Sequence, residues 1–132
     1  MQTGQTCAMM VAMSQHTLLA PDQAQSLVLA DAAEKSSSGI VSRTVIQTEE
    51  LRVVLFAFAD GQELTAHSSR RRALVQVLDG ACEFFFGDAW HCLASGSLLH
   101  LPPGHVHAVR ASSGPFSMLL TLGAESQDKK AK

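Results

Sequence analysis

Two stretches of the sequence decide the fold: GQELTAHSSRRRALVQVLDG, from Gly61 to Gly80, and GSLLHLPPGHVHAVRA, from Gly96 to Ala111. Turn-type pairs border or interrupt both stretches, as at Asp60-Gly61, Asp79-Gly80 and Pro103-Gly104, because Gly, Pro and Asp readily adopt turn conformations. Between the turns lie short apolar runs of the kind that form strands. The two stretches therefore predict short strands separated by tight turns.

The same pattern of short strands and turns continues on both sides of these stretches. Many short strands with closely spaced turn signals are typical of an all-β sandwich or barrel, and not of alternating helices and strands. The predicted strands are Ile40–Gln47, Leu51–Ala59, Leu74–Leu78, Ala81–Phe86, Ala89–Ala94, Leu98–Leu101, His105–Arg110 and Phe116–Leu122.

The spacing of residues in the two stretches resembles the two sequence motifs of the cupin family. In the first stretch, five residues separate Gly61 from His67, and Gly80 closes the motif. In the second, Gly96 is followed at the family's spacing by Pro102, Gly104 and His107. The resemblance implies a small single-domain cupin of the RmlC-like superfamily. Its fold would be all-β, a double-stranded β-helix or jelly-roll barrel, with a short N-terminal helical or irregular segment.

The resemblance also implies a metal site, but transfer residue by residue leaves that site incomplete. Of the four ligand positions in the two cupin motifs, His67 and His107 retain a histidine, whereas Ser69 and Ala73 stand at the other two. A catalytic Zn or Fe site usually takes at least three protein ligands. We therefore expect a two-histidine remnant of the metal site and no stably bound metal.

A ligand pocket is expected around these histidines. Residues two apart in a strand share a face, so a regular strand would align His67 with Arg71 and Val77. In cupins that face is the barrel interior, and the resemblance implies that His107 approaches it from a neighbouring strand. Arg71 could pair with a ligand carboxylate or phosphate, although a solvated loop is the alternative for Arg70–Arg72. The expected pocket residues are Ser69, Arg71, Ala73, Val75 and His105.

Three functions stay open at this point. The first is a cupin-domain protein that binds a small molecule in its barrel. The second is a metal-dependent cupin enzyme of the dioxygenase or isomerase type, in which His67 and His107 hold Fe, Mn, Ni or Zn with help from His105, water or substrate. The third is a non-catalytic sensing or interaction module. Whether the protein is an enzyme stays undecided, because no carboxylate is placed by the motifs to orient either histidine.

Composition narrows the partners and the location. A net charge of −2 and an aromatic content of 5% give no indication of nucleic-acid binding. No apolar run approaches the ~18 to 20 residues of a membrane span. The odd number of cysteines, without a recognisable secretion signal, favours reduced thiols and a cytoplasmic location.

The hairpin that turns at Gly87-Asp88 makes a testable prediction about two of those cysteines. In a two-residue turn Phe86 faces Ala89, so Cys82 pairs with Leu93 and Cys92 with Glu83. The two thiols then lie on opposite faces of the ribbon, and we expect no disulfide between them.

The ends of the chain are expected to lie outside the barrel. We divide the sequence into an irregular tail, 1–20, a single cupin barrel domain, 21–124, and a polar tail, 125–132. Pro21 could open a short helix through about Ala33, since Pro suits the first helical turn, although Ser26–Ala30 could equally be a strand. The apolar strand Leu51–Ala59 would be a liability at an exposed sheet edge, which favours a homodimer.

Overall fold

The strands form two antiparallel sheets that face each other. The structure is a computed structural model that describes residues 17–33 and 37–125. Within these residues it contains nine strands and one short helix, so the predicted all-β class is confirmed. The elements are α1 (Leu29–Ala32), β1 (Ile40–Gln47), β2 (Leu51–Phe58), β3 (Glu63–His67), β4 (Arg71–Asp79), β5 (Ala81–Phe86), β6 (Ala89–Ala94), β7 (Leu98–Leu101), β8 (His107–Arg110) and β9 (Phe116–Glu125).

Each of the two cupin-like stretches contributes one strand to each sheet. The five-stranded sheet has the order β1-β2-β9-β4-β7, and the four-stranded sheet has the order β3-β8-β5-β6. The first stretch therefore supplies β3 to one sheet and β4 to the other. The second stretch likewise supplies β7 and β8 to opposite sheets, so both stretches cross between the two walls of the barrel.

The core lies between the concave faces of the two sheets. In β4, Ala73, Val75 and Val77 are buried while Arg72, Leu74 and Gln76 are exposed, as expected for a strand with one face toward the core. Phe84 and Val109 oppose them from the other sheet, and each is 2% exposed. This apolar cluster fills the space between the two sheets.

The predicted hairpin of β5 and β6 is confirmed in its register. Phe86 pairs with Ala89, Cys82 with Leu93 and Glu83 with Cys92. Gly87 and Asp88 have φ values of 62° and 68°, and positive φ at both central residues is the requirement of a type I′ turn. Cys82 is buried and Cys92 is exposed, as expected for opposite faces.

No regular strand runs from His67 to Val77, so the alignment of His67 with Arg71 and Val77 on one strand face is wrong, and the predicted strand Leu74–Leu78 extends over Arg71–Asp79. β3 ends at His67, residues 68–70 connect the two sheets, and β4 begins at Arg71. The sequence prediction also missed β3 itself, whose burial pattern is mostly exposed and lacks a run of apolar residues. It started β8 two residues too early, because His105 still belongs to the preceding turn.

The apolar strand that would be a liability at an exposed edge does not lie at one. β2 lies inside the five-stranded sheet, between β1 and β9. Its backbone donors and acceptors are therefore paired on both sides, and the argument for a homodimer from an exposed β2 does not hold.

The N-terminal part of the described chain differs from expectation in two ways. The helix predicted over Pro21–Ala33 is a single turn, Leu29–Ala32, whose N-cap Val28 makes no side-chain capping bond, and so short a helix gains little stability by itself. Residues 17–20, assigned to the irregular tail, contact the barrel: the Leu19 N–H donates to the Val45 carbonyl at 2.7 Å. The rest of that tail, 1–16, and the C-terminal tail from 126 onward lie outside the described residues. β9 continues through Glu125, one residue past the predicted domain end.

Candidate functional site

Two histidines meet where β3 ends and β8 begins. His67 and His107 are register partners in the four-stranded sheet, and their ring centroids lie 4.3 Å apart at an interplanar angle of 61°. A register shift between Leu64 and His67 brings the last residue of β3 opposite the first residue of β8. The pair that the sequence expected from two different motifs is thus a direct contact.

Backbone carbonyls orient both rings in the same way. His67 Nδ1 lies 2.9 Å from the Thr65 carbonyl oxygen, and His107 Nδ1 lies 3.0 Å from the His105 carbonyl oxygen. A carbonyl oxygen only accepts, so each Nδ1 carries the proton and donates it. In the neutral ring Nε2 is then an acceptor, and both Nε2 atoms can bind a ligand.

Burial affects the charge of one of the two rings. Desolvation lowers the pKa of His107 below its ordinary value of 6.5, and the neighbouring His67 and His105 lower it further, against a raising effect of the hydrogen bond to the His105 carbonyl. The charged form is disfavoured because a buried imidazolium loses its hydration. His107 is therefore neutral near neutral pH.

A second set of contacts joins Arg71 to the same end of the barrel. The Gly104 N–H donates to the Ser69 carbonyl at 2.7 Å, which fixes the turn before His107 onto the connection before Arg71. Ser69 Oγ accepts the Arg71 backbone N–H at 3.1 Å. Arg71 Nη1 donates to the Gly123 carbonyl at 3.1 Å. We call this end, defined by His67, Ser69, Arg71 and His107, the mouth of the barrel.

The remaining predicted pocket residues divide into two groups. Ala73 and Val75 are 4% and 1% exposed and belong to the packed core, so they lie beneath the mouth and not on its surface. His105 is exposed in the turn before β8, and its carbonyl orients His107. The structure therefore places Ser69 and Arg71 at the same end of the barrel as the histidine pair, but it does not bring the side chains of Ala73 and Val75 to the accessible surface.

Comparison with known proteins agrees with this architecture. The sequence model of the AraC-like ligand-binding domain family matches residues 53–123, which is more than half of the chain. The chain belongs to this family. No curated protein sequence matches it.

Solved structures show that the domain is a small cupin. A conserved protein of unknown function from Streptococcus pyogenes is 27% identical over 86% of this chain and 99% of its own, with a TM-score of 0.72. A cupin superfamily protein from Desulfitobacterium hafniense is 27% identical over 78% of this chain and 94% of its own, with a TM-score of 0.70. The lyase DddQ from Ruegeria pomeroyi, which acts on DMSP, is 22% identical over 65% of this chain and 47% of its own, with a TM-score of 0.62, and shares the fold alone.

The cupin fold raises the question of a metal, and the residues of the mouth do not fit one well. The arrangement of each His Nδ1 against a carbonyl is the one that histidine ligands use to present Nε2 to a metal. However, the described part of the chain contains no group of three or more His, Cys, Asp or Glu side chains that could hold a metal ion. Ala73 offers no donor atom, and Ser69 is engaged by the Arg71 backbone. Two imidazoles fall short of the usual three protein ligands.

Two side chains that sequence reasoning did not select also face the barrel interior. Arg52 lies two residues before Val54 and four before Phe56, so it is on the face of β2 that points inward. His91 is the register partner of the buried Phe84. His91 stacks on Phe86 with ring centroids 3.8 Å apart. The sequence could have indicated Arg52, because a charged residue that alternates with the inward-facing apolar residues of a core strand is unusual.

The cupin domain also has a separate surface depression of about 510 Å³. It lies near the ends of β4 and β9 that are far from the mouth, and it contains none of the mouth residues. Its lining includes Leu29, Ala33, Leu78, Pro115 and Phe116. Among the described residues no helix is long and apolar enough to cross a membrane.

Proposed function

We propose that this cupin domain binds a small molecule at the mouth of its barrel. The observation that carries the proposal is the histidine pair, His67 and His107, whose Nε2 atoms are left available by the carbonyl bonds at Nδ1. Membership of a family of ligand-binding domains supports it. The filled core beneath supports binding at the mouth and not deep inside the barrel.

The proposal is for binding, and it leaves catalysis open. General acid–base work by histidine usually relies on a second group that fixes the ring and its proton. Here backbone carbonyls orient His67 and His107, and no carboxylate of the described residues hydrogen-bonds to either ring. An orienting carbonyl fixes the tautomer but does not stabilise an imidazolium as a carboxylate would.

NMR of the imidazole side chains tests where binding occurs. A library of small neutral and acidic fragments is added to the protein while the ring ¹H–¹⁵N signals are followed. We expect at least one fragment to shift the signals of both His67 and His107 while leaving those of His100 unchanged, because His100 lies on the outer face of β7 beside Arg72. Fragments that bind only at the depression near Leu78 and Pro115 would overturn the proposal and favour the interaction-module alternative.

The metal-dependent alternative is tested by elemental analysis of protein purified without a His-tag. We propose that no divalent ion is stably bound, because the mouth offers two imidazoles, and the described residues supply no third His, Cys, Asp or Glu side chain beside them. Fe, Mn, Ni and Zn are therefore expected well below one equivalent, and unchanged in the His67→Ala, His107→Ala double variant. A stoichiometric metal that the double variant loses would establish a metal site and reopen the dioxygenase or isomerase hypothesis.

A homodimer and a cytoplasmic location remain part of the proposal. The dimer is now supported by a different surface, since Leu74 and Leu98 are 41% and 68% exposed on the outer face of the five-stranded sheet. Adjacent exposed apolar side chains favour a partner surface. Light scattering that gives a monomer at tens of micromolar would contradict the dimer. Nucleic acid is not among the proposed partners, because the net charge is −2.

A further inference from the structure

We propose that the small molecule bound at the mouth is an organic anion, whose carboxylate or phosphate oxygens are held by Arg52 and Arg71. This inference rests on the proposed function and specifies the chemistry of its ligand. It begins with two polar atoms. Arg52 Nε and His91 Nδ1 are the buried side-chain nitrogen or oxygen atoms that have no hydrogen-bond partner within residues 17–33 and 37–125.

Both atoms belong to side chains of the concave faces. Arg52 pairs with Leu122, and Leu122 pairs in turn with Ala73 on β4. Cross-strand partners point to the same side of a sheet, so Arg52 faces the interior with Leu122 and the buried Ala73. A buried donor of a charged group that lacks a partner is costly. Acceptor oxygens of a ligand would remove that cost.

Arg71 stands on the same wall. It precedes Ala73 by two residues in β4 and therefore lies on the same face. The pairing with β9 shifts in register between these two residues, and the alternation of burial in β4 continues through the shift. Two strand spacings, about 10 Å, separate Arg52 from Ala73 across the sheet. Arg71 uses Nη1 for the Gly123 carbonyl, and a guanidinium has five N–H donors. Most of its donors are therefore available to a ligand.

The charges on the inner wall favour an anion. The strands β2, β4 and β9 carry two acidic residues among the described ones, Asp79 and Glu125, and Glu49 and Glu50, in the turn before β2, are exposed. Asp79 lies at the far end of β4. Glu125 is an exposed residue whose carboxylate lies 3.6 Å from Arg70 Nε. A guanidinium keeps its charge at all physiological pH values, so Arg52 and Arg71 supply permanent positive charge to this end of the barrel.

The surroundings favour an organic anion over an inorganic one. Leu122 and Phe86 are partly buried and pack against the core cluster, so apolar surface lies beside the arginines. An arginine fork binds carboxylate and phosphate oxygens in a bidentate manner. The apolar part of the ligand would contact Leu122 and Phe86 while its oxygens bind Arg52 and Arg71.

Matched acid and amide probes test this chemistry. Benzoate, benzamide, phenyl phosphate and inorganic phosphate are titrated into the protein, and the ring signals of His67 and His107 and the amide signals of Leu122 and Gly123 are followed. We expect benzoate or phenyl phosphate to bind at least about tenfold more tightly than benzamide, since a hydrogen bond to a charged group contributes about that factor. Benzoate and phenyl phosphate distinguish a carboxylate from a phosphate ligand.

Three methionine variants locate the binding groups. Arg52→Met and Arg71→Met are each expected to weaken binding of the preferred anion about tenfold or more. Arg72→Met is the matched control, because Arg72 lies on the outer face of β4, where it bonds to His100. Its affinity for the anion should stay within about twofold of wild type.

Stability of the variants separates a binding role from a structural one. Arg52→Met should unfold at the same or a higher urea concentration than wild type, because it removes a buried polar group without a partner. A large loss of stability would show that Arg52 holds the fold, and would overturn the inference.

The two proposals fail in different ways. If benzamide binds as tightly as benzoate, or the arginine variants bind like wild type, the anion inference is wrong while binding at the mouth stands. If no fragment, neutral or acidic, shifts the histidine signals, the proposed function itself is wrong.

Discussion

Two glycines of the first cupin stretch have nearly the same backbone conformation and very different surroundings. Gly61 has φ +85° and Gly80 has φ +81°. A Cβ at Gly61 would meet no atom within 4 Å, whereas a Cβ at Gly80 would lie 2.5 Å from the Pro115 carbonyl oxygen and 3.0 Å from Phe116 Cβ. Comparing the alanine variants of the two glycines therefore separates the cost of the steric contact from the cost of the backbone strain.

The expected free energies of unfolding follow from these two effects. Placing a Cβ at positive φ costs about 1–2 kcal/mol, partly offset by about 0.4–1 kcal/mol because alanine restricts the unfolded chain. Gly61→Ala should thus lose about 1 kcal/mol. Gly80→Ala adds an overpacking cost of about 1–3 kcal/mol, because the clashing oxygen is backbone and Phe116 stacks on Phe58 at 4.6 Å in the core.

Urea unfolding at equal protein concentration measures the difference. With a slope of about 2 kcal/mol per molar urea, Gly80→Ala should unfold about 0.5–1.5 M earlier than Gly61→Ala. Equal midpoints for the two variants would refute the reasoning, since they would show that the close approach of Gly80 to Pro115 contributes nothing beyond its φ angle. A change in the slope for one variant would indicate an altered unfolded or native state instead.

Two further predictions concern titratable groups. Burial lowers the pKa of His107, so the unfolded chain binds a proton that the folded chain does not, and stability falls as pH drops through about 6.5 toward the folded value. Between about pH 7.5 and pH 5.5 the urea midpoint of wild type should fall more than that of His107→Gln, and equal falls would contradict the shift. Burial raises the pKa of the Cys82 thiol to about 12, while Cys92 is exposed. In a Cys7→Ser background, Ellman's reagent should therefore modify Cys92 rapidly and Cys82 only on unfolding; a rapid reaction that persists in Cys92→Ser would show that Cys82 is accessible.

Local rules were sufficient to predict the strands and the hairpin register. The β5–β6 pairing follows from one two-residue turn, because fixing Phe86 opposite Ala89 fixes every later pair up to Ala81 and Ala94. The turn is determined by Gly87 and Asp88 alone. Similarly, five of the predicted strands have bounds that agree with the structure within one residue, and each of the five has a Gly, Pro or Asp next to at least one end. The cupin resemblance extended these local elements to the whole fold.

Long-range placement was not available from local rules. The position of β2 inside the sheet depends on β9, which follows it by more than fifty residues, and nothing within Leu51–Phe58 indicates that both of its edges are paired. The connection at 68–70 could not be predicted from local sequence either, and it changes which residues share a face at the site. An alternating pattern from His67 to Val77 is consistent with one strand, but the chain changes sheets there and the alternation restarts at Arg71.

The change of sheets at 68–70 explains why the mouth combines groups that the sequence pattern assigned to one strand. His67 lies in the strand that pairs with β8 and contacts His107 directly, while Arg71 begins a strand of the opposite sheet, where β4 and the Arg52 strand β2 both pair with β9. The contact between Gly104 and Ser69 holds the two walls at this end. At one of the four cupin ligand positions, Ala73 supplies neither a metal-binding atom nor a negative charge to a wall that carries two arginines. The residue that weakens the case for a metal therefore strengthens the case for an anionic ligand.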